Sequence, residues 1–452
     1  MGSTAQPLRI AIVGGGIGGL ALAAGLCKKP HLDVHVYEGV SGYRDVGAGL
    51  ALHLNAMKAM SLIGPEVRQA YLDKATDMAD AAADSGEEEM ATEVILAHGP
   101  HAGELVAELG RAKGRKSVSR ADLLAGLLAL IPPGHVSLGK KLARIVERPA
   151  GTAAEPDEEP VVLEFHDGSQ AAADCVLGAD GIHSVVRSHL LGAGHAATAP
   201  KNHDRWQVYR TLVTTDEALR HINEKWTRRV PILLGPRGHV NCIPVSKGTR
   251  VSAGVAVRGG ATPKTSADGP GGGAGGQSNN KTEALDPALY ADYSADAQRI
   301  VGMVARNTNA SWSVGDHDHA PHYWRGRVAM LGDAAHAALP FAGNGAAQAL
   351  EDAAVLDHLF GSVGGRTQIA AALAAYDAVR RPRSQQVVDL ARRFGRVYAY
   401  ADDEIGDDPA RMRAFFAEAA AFTNNADLER QNREAMDLYE HAVGEASRSG
   451  KA

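Results

Sequence analysis

Cysteine is scarce in this chain of 452 residues, which contains only Cys27, Cys175 and Cys242. The three are scattered without the spacing of metal ligands, so no bound metal is predicted. Their odd number argues against a disulfide framework. The pattern therefore favours a reducing compartment.

Long hydrophobic runs are also missing. No stretch reaches the roughly 18 uninterrupted apolar residues that a membrane helix requires. The first apolar run begins within about ten residues of the N-terminus, without a basic segment and apolar leader before it. We therefore expect no membrane partner and a cytoplasmic location.

A strong excess of charge of either sign is absent as well. The chain has 47 Lys and Arg against 53 Asp and Glu, a net charge of −6. This balance gives no general attraction for nucleic acid, so anion binding must depend on local arginines. The 45% hydrophobic content and the length are sufficient for more than one core, which predicts two domains.

A glycine-rich loop near the N-terminus carries the first positive signal. It follows a short apolar run at 8–13, typical of a buried parallel strand, and precedes a helical pattern at 20–26. In this context Gly14 permits a tight turn, Gly16 lets the backbone approach a pyrophosphate, and Gly19 allows close packing of helix on strand. The loop predicts a dinucleotide at a helix N-terminus.

A second apolar run at 34–37 ends at Glu38, which lies 38 − 14 = 24 residues after Gly14. A carboxylate at this distance is expected to accept hydrogen bonds from a ribose diol, and it disfavours a 2′-phosphate. The bound adenosine is therefore predicted to be that of FAD or NAD.

The remaining pattern predicts the organisation of the chain. Alternating β-branched runs from 206 to 257 indicate an antiparallel sheet, and apolar residues at helical spacing after 365 indicate long helices. The predicted divisions are a dinucleotide domain at 1–75, 100–190 and 325–365, a substrate domain at 76–99 and 191–324 with a disordered glycine-rich insertion at 259–282, and C-terminal helices at 366–452.

Four segments together resemble the single-component flavin monooxygenases, the aromatic hydroxylases related to para-hydroxybenzoate hydroxylase. They are the glycine loop with Glu38, and residues 179–187, 332–336 and 340–352. The C-terminal residues 381–385 and 406–408 look most like salicylate hydroxylase and its fungal relatives that oxidise resorcinol-type polyketides. The similarity extends over roughly residues 8 to 400.

This resemblance implies an α/β fold with a Rossmann-type FAD-binding domain, an antiparallel-sheet substrate domain and a helical C-terminal segment. It implies non-covalent FAD, NAD(P)H as co-substrate, and hydroxylation of a phenolic ring by molecular oxygen through a flavin C4a-hydroperoxide. A monomer or homodimer is expected. The alternative is a flavoprotein of this fold acting as epoxidase, reductase or halogenase, although the tryptophan-rich signature and lysine of a halogenase are not found.

The resemblance also implies roles for cofactor-binding residues. Asp333 would accept hydrogen bonds from the ribityl hydroxyls, and Arg120, after a predicted N-cap at Ser119, would face the ribityl chain or the pyrophosphate. The further positions are Arg44 in a loop that meets the cofactors, Asp180 as a cofactor-binding residue, and His183 and Arg187 as candidates for the phosphates of a transiently bound NAD(P)H. The backbone of Gly343, Gly345, Ala346 and Ala347 would face the pyrimidine edge of the flavin.

Three residues are predicted to act at the reaction itself. Pro340 resembles the proline whose carbonyl lies near the reacting edge of the flavin. Arg210 is the candidate for contact with a phenolate or carboxylate, with an exposed strand arginine as the alternative. Relatives often have tyrosine where this chain has Ile243, so His239 is the candidate replacement, the alternatives being a more apolar pocket or a structural histidine.

Overall fold

The computed structural model of this chain describes residues 6–43, 49–77, 89–113, 116–147, 160–259, 284–308 and 310–449. Arg44 lies outside these ranges, so its predicted role stays untested. The insertion predicted at 259–282 also lies outside them, apart from Gly259.

The strands lie in four sheets, and in chain order they are β1 (Leu8–Val13), β2 (Leu32–Tyr37), β3 (Gly49–Leu50), β4 (Thr76–Asp77), β5 (Glu89–Leu96), β6 (Leu105–Lys113), β7 (Lys116–Ser119), β8 (Val136–Ser137), β9 (Leu142–Val146), β10 (Val161–Phe165), β11 (Gln170–Ala173), β12 (Cys175–Gly178), β13 (Gln207–Thr214), β14 (Val230–Gly235), β15 (Gly238–Val245), β16 (Arg250–Val257), β17 (Ala310–Ser313), β18 (Trp324–Arg325) and β19 (Val328–Met330).

The α-helices are α1 (Ile17–Leu26), α2 (Leu54–Ile63), α3 (Pro65–Leu72), α4 (Arg120–Leu128), α5 (Val185–Leu191), α6 (Thr215–Leu219), α7 (Ala295–Arg306), α8 (Asp333–His336), α9 (Gly345–Phe360), α10 (Ile369–Tyr398), α11 (Pro409–Asn424) and α12 (Leu428–Ser449). Short 3-10 helices occur at Glu224–Thr227, Pro287–Tyr290, Pro340–Ala342 and Arg366–Gln368. Among the described residues, no helix is long and apolar enough to cross a membrane.

A six-stranded sheet forms the centre of the first domain, in the order β18-β19-β12-β1-β2-β8. Its pairs are parallel except for β18 with β19. Residues of β1 and β12 are almost wholly buried because the sheet is covered on its faces, which explains their continuous apolar sequences. The predicted Rossmann-type domain is confirmed.

A seven-stranded sheet forms the second domain, in the order β17-β13-β16-β15-β14-β5-β6. It is mostly antiparallel, as expected, but β14 and β5 are parallel. The predicted division at residue 100 is wrong, because β6 pairs with β5 in this sheet and residues 105–113 therefore belong to the second domain. Local sequence patterns do not indicate this long-range pairing.

The C-terminal segment is helical, as predicted. Helix α10 is 30 residues long and contacts α9 and α12, so it fastens the end of the chain to the first domain. Its last residues pack with aromatic side chains against the seven-stranded sheet. This helix thus contacts both domains.

Candidate active site

Two adjoining cavities lie between these elements. The first, of about 290 Å³, runs from the glycine loop to Glu38. The second, of about 830 Å³, lies between the first domain and the seven-stranded sheet. Arg120, Asp180 and Asp333 line both cavities, so the two openings form one continuous site.

The glycine loop has the geometry that a dinucleotide requires. Gly14 has a φ of +105°, and a Cβ there would lie 2.2 Å from the carbonyl oxygen of Ala179. A Cβ on Gly19 would lie 2.0 Å from the carbonyl oxygen of Gly14, so only glycine allows α1 to approach β1 this closely. Around Gly16, in contrast, a Cβ would meet no atom within 4 Å. The open space at the N-terminus of α1 fits a pyrophosphate.

Glu38 is 5% exposed and is held in place by backbone amides. Its Oε2 accepts from the amide of Gly15 at 2.6 Å, and its Oε1 accepts from the amide of Val40 at 2.8 Å. No local sequence pattern singles out Tyr43, whose hydroxyl donates to the carbonyl of Gly15 at 2.9 Å. These bonds fix the carboxylate at the cavity edge, where its remaining lone pairs suit a ribose diol.

Asp180 and His183 line both cavities. The Asp180 carboxylate accepts from the Ser184 hydroxyl at 2.5 Å and from the Val185 amide at 2.8 Å, so it caps helix α5. Burial raises the pKa of Asp180, and these hydrogen bonds oppose the rise. His183 is exposed at the cavity, where its proposed contact with a dinucleotide phosphate is sterically open.

The prediction that Arg187 binds dinucleotide phosphates is wrong. Its side chain is 0% exposed and lines neither cavity. The guanidinium donates to the carbonyl oxygens of Ala197 at 2.6 Å, Ala335 at 2.7 Å and Asp318 at 2.9 Å. Because its donors are used inside the protein, Arg187 joins α5 to α8, and burial lowers its pKa to about 10.

Arg120 and Asp333 meet at the junction of the cavities. Arg120 is the first residue of α4, and the predicted N-cap is confirmed because Ser119 Oγ accepts from the amide of Asp122 at 3.0 Å. Asp333 begins α8 after Gly332, and burial raises its pKa while the charges of His336 and Arg120 lower it. Within the described residues, neither the guanidinium nor the carboxylate makes a hydrogen bond or an ion pair with the protein, which fits the cofactor contacts predicted for them.

The N-terminus of α9 faces the same space. Gly343 adopts the left-handed conformation at a φ of +61°, and Gly345 and Ala346 line both cavities. No side chain caps this helix, so first-turn amides remain for an electron-rich ligand. Ala347 differs from its neighbours, since its side chain is buried and lines neither cavity, and only its backbone amide could serve as predicted.

A buried cluster of charged side chains joins α10 to α9, and no local sequence pattern predicts it. Arg380 is 0% exposed and donates to Asp352 Oδ1 at 2.7 Å, to Glu351 Oε2 at 2.6 Å and to Gln348 Oε1 at 2.8 Å. Arg383 adds a bond to Glu351 Oε2 at 2.7 Å. The cluster fastens α10 to α9 and so fixes the helix whose N-terminus faces the cavity. Glu351, Asp352 and Arg383 stood within the family-like segments, but only proximity reveals the cluster.

The floor of the larger cavity is one face of the seven-stranded sheet. Arg210 reaches it from β13, with its Cζ 5.7 Å from the centroid of the Trp312 ring. No described carboxylate pairs with Arg210, and desolvation lowers its pKa. His239 stands on the same face, packed between the rings of Phe341 at 5.2 Å and Tyr398 at 4.9 Å. Burial, with the charge of Arg210, lowers the pKa of His239 to about 3, so its imidazole is neutral at pH 7.

Pro340 and Ile243 both line this larger cavity. Pro340 begins the 3-10 helix before α9 and is exposed to the cavity, which suits its predicted place beside a flavin. Ile243 lines the cavity from β15 and supplies an apolar surface at the position where relatives often have tyrosine. A phenol does lie elsewhere in this wall, because α10 brings in Tyr398, a residue that sequence reasoning did not single out.

The fold and this site define a flavoprotein in which the dinucleotide-binding cavity opens onto a second, larger and mostly apolar cavity. Residues 274–391 match the family described as "FAD binding domain". The chain is 35% identical to the 6-methylsalicylate 1-monooxygenase of Aspergillus terreus, over 97% of this chain and 94% of that one.

Two solved structures are also similar to this chain. A salicylate hydroxylase substrate complex has a TM-score of 0.76 and 31% identity, covering 95% of this chain and 98% of the other. Klebsiella pneumoniae HpxO complexed with FAD and uric acid has a TM-score of 0.67 and 25% identity, covering 95% and 97%. The chain belongs to the group A FAD-dependent monooxygenases, in the salicylate hydroxylase-like branch. It is an aromatic hydroxylase that uses FAD and NAD(P)H.

Proposed function

We propose that the substrate is a salicylate-like phenolic acid, and that Arg210 binds its carboxylate or phenolate. The observation that carries this proposal is an arginine that faces the larger cavity without a carboxylate partner among the described residues. A desolvated cation is costly unless an anion pairs with it. The acidic residues lining the cavity, Asp180 and Asp333, stand on the cofactor side.

The residues around Arg210 support binding of a planar anionic ring. Trp312 and Phe341 supply aromatic faces, and Ile243 adds an aliphatic one. His239 is neutral, so it adds no second charge and can exchange a hydrogen bond with a phenolic oxygen. An arginine fork matches a carboxylate better than a lysine would.

Bound FAD supplies the transfer of electrons from NAD(P)H and the activation of oxygen. The protein binds and orients the substrate and encloses the site. Arg210 would hold the anionic substrate and fix the orientation of its phenolic ring, which is the electron-rich group that accepts an oxygen atom. The first-turn amides of α9 would stabilise negative charge at the pyrimidine edge of the cofactor. The apolar wall excludes water from the reacting ring.

The test is NAD(P)H oxidation by purified holoenzyme across a series of salicylates and 2,4-dihydroxybenzaldehydes, with mass measurement of each product. A salicylate that gains one oxygen and loses CO₂ supports the proposal. Turnover of the aldehydes alone would favour the resorcinol-type alternative. If no phenol in either series stimulates NAD(P)H oxidation, the proposal is wrong.

Three further expectations belong to this proposal. Molecular oxygen is the second co-substrate, the protein is a monomer or homodimer, and it works in the cytoplasm. The scarcity of cysteine supports a reducing compartment. Oxygen consumption during turnover, light scattering and cell fractionation would test them in turn.

A further inference from the structure

The cavity floor carries a second polar side chain in line with Arg210. Arg210 on β13 pairs in register with Gly254 on β16, and Gly254 pairs with Asn241 on β15. The three positions therefore form one row across adjacent strands. All three line the larger cavity.

Gly254 leaves a gap in the middle of this row. Strands are about 4.8 Å apart, so the Cα atoms of Arg210 and Asn241 are separated by roughly 10 Å. Asn241 leans into the gap, because a Cβ on Gly254 would lie 2.7 Å from Asn241 Oδ1. Its amide is thus turned towards the arginine side of the row.

The side-chain amide of Asn241 has no hydrogen-bond partner among the residues that the structure describes. Its neighbours along the row are Gly254, which has no side chain, and Ile232, which is apolar. An amide that faces a cavity without a partner can be satisfied by water or by a ligand. Arg210 is in the same position, since no described carboxylate pairs with it.

We propose that Asn241 is a specificity-determining residue that works together with Arg210. Arg210 takes the carboxylate of the substrate, and the Asn241 amide exchanges a hydrogen bond with a hydroxyl at the neighbouring ring position. Gly254 leaves the space into which the Asn241 amide leans towards the arginine side of the row. The substrate class is then an aromatic acid with an ortho hydroxyl. This inference rests on the proposed function, because it assumes that an aromatic acid enters this cavity.

The experiment is a titration of oxidised holoenzyme, without NAD(P)H, with 2-hydroxybenzoate and with benzoate, followed by the visible absorbance of the bound FAD. The quantity compared is the ratio of the two dissociation constants. In the native protein 2-hydroxybenzoate should bind about three- to tenfold more tightly than benzoate, the scale of one net hydrogen bond.

Asn241→Leu should bring this ratio close to one while affinity for benzoate changes by less than about twofold. Ile232→Leu is the matched control, because it alters an apolar neighbour in the same row and should affect both ligands alike. Gly254→Ala is the second variant: its methyl group takes the space of Asn241 Oδ1 and displaces the amide, so the ratio should fall there too.

Each outcome decides a different point. If the native protein binds neither acid, the proposed function is overturned. If it binds both but Asn241→Leu keeps the native ratio, Asn241 has no part in specificity and this inference is overturned. If Asn241→Leu does not retain FAD, Gly254→Ala decides, and a native ratio in that variant overturns the inference.

Discussion

Asp352 Oδ2 lies 2.6 Å from His336 Nε2, and the same oxygen accepts the amide hydrogen of Gly332 at 2.8 Å. One carboxylate on α9 therefore holds both ends of the turn that presents Asp333 to the cavity. Burial opposes ionisation of Asp352, but His336 and Arg380 outweigh burial and hold its pKa at about 2.

Asp352→Asn should weaken FAD binding strongly, because it removes a buried charge that orders the turn before Asp333. Breaking a buried pair costs about 3–5 kcal/mol, so the free energy of unfolding should fall as well. The control is Asp357→Asn, a buried carboxylate on the same helix whose partner is Lys29, away from both cavities. FAD affinity, measured by quenching of flavin fluorescence, should fall only for Asp352→Asn. Equal FAD affinity in the two variants would contradict the positioning role.

Asp333→Ala should reduce FAD affinity about tenfold to hundredfold, since a charge-assisted hydrogen bond contributes roughly 1.5–3 kcal/mol. Asp333→Asn keeps an acceptor oxygen and should lose less. Apoprotein stability should not decrease, because no described residue pairs with this carboxylate. Unchanged flavin affinity in the alanine variant would show that the predicted ribityl contact is wrong.

Gly16 and Gly19 should respond differently to the same added methyl group. Gly16→Ala places the methyl group in open space, so apoprotein unfolding should be nearly unchanged while FAD affinity falls. Gly19→Ala drives it into the carbonyl of Gly14, and overpacking of this kind costs about 1–3 kcal/mol of stability. Thermal unfolding with and without FAD separates the two effects. If Gly16→Ala binds FAD with native affinity, the prediction that the pyrophosphate binds at this loop is wrong.

Arg210→Gln should raise KM or lower hydroxylation at a cost of about 2–4 kcal/mol, without loss of FAD. Oxygen would then be reduced to hydrogen peroxide instead of entering the product, because the ring is held less firmly for the reaction. Arg210→Lys, which keeps the charge but not the planar fork, should be intermediate. The readouts are product formed per NAD(P)H consumed and peroxide released. If Arg210→Gln forms as much product per NAD(P)H consumed as the native protein, Arg210 does not bind the substrate anion. His239 would then be the next candidate for this role.

The low pKa of His239 predicts a pH dependence of stability. Burial, and then the charge of Arg210, lower this pKa to about 3, whereas an unfolded histidine titrates near 6.5. The unfolded state therefore binds more protons between these values, and stability is lost as pH falls through this range. His239→Gln should reduce the slope by up to about 1.4 kcal/mol per pH unit between roughly pH 4 and 6. Urea unfolding at several pH values measures this slope, and His101→Gln, at an exposed histidine, is the control. An unchanged slope in His239→Gln would contradict the burial of a neutral imidazole.

The sequence by itself determined the class of the first domain and the cofactor. A glycine loop between a strand and a helix acts through local backbone geometry, so Gly14, Gly16 and Gly19 could be interpreted from their order alone. Glu38 could be predicted from its distance after Gly14, whereas Asp333 was predicted because residues 332–336 resemble those of the family. Helices α10 to α12 were predictable from local periodicity.

Only the tertiary structure decided which charged groups bind a ligand and which hold the protein together. Arg187 and Arg210 are alike as residues, but packing buries Arg187 against backbone carbonyls and leaves Arg210 facing a cavity without a carboxylate partner among the described residues. Strand register sets Asn241 beside Gly254, and the packing of α10 brings Arg380 to Asp352. These relationships depend on contacts between residues distant in sequence, which local patterns do not encode.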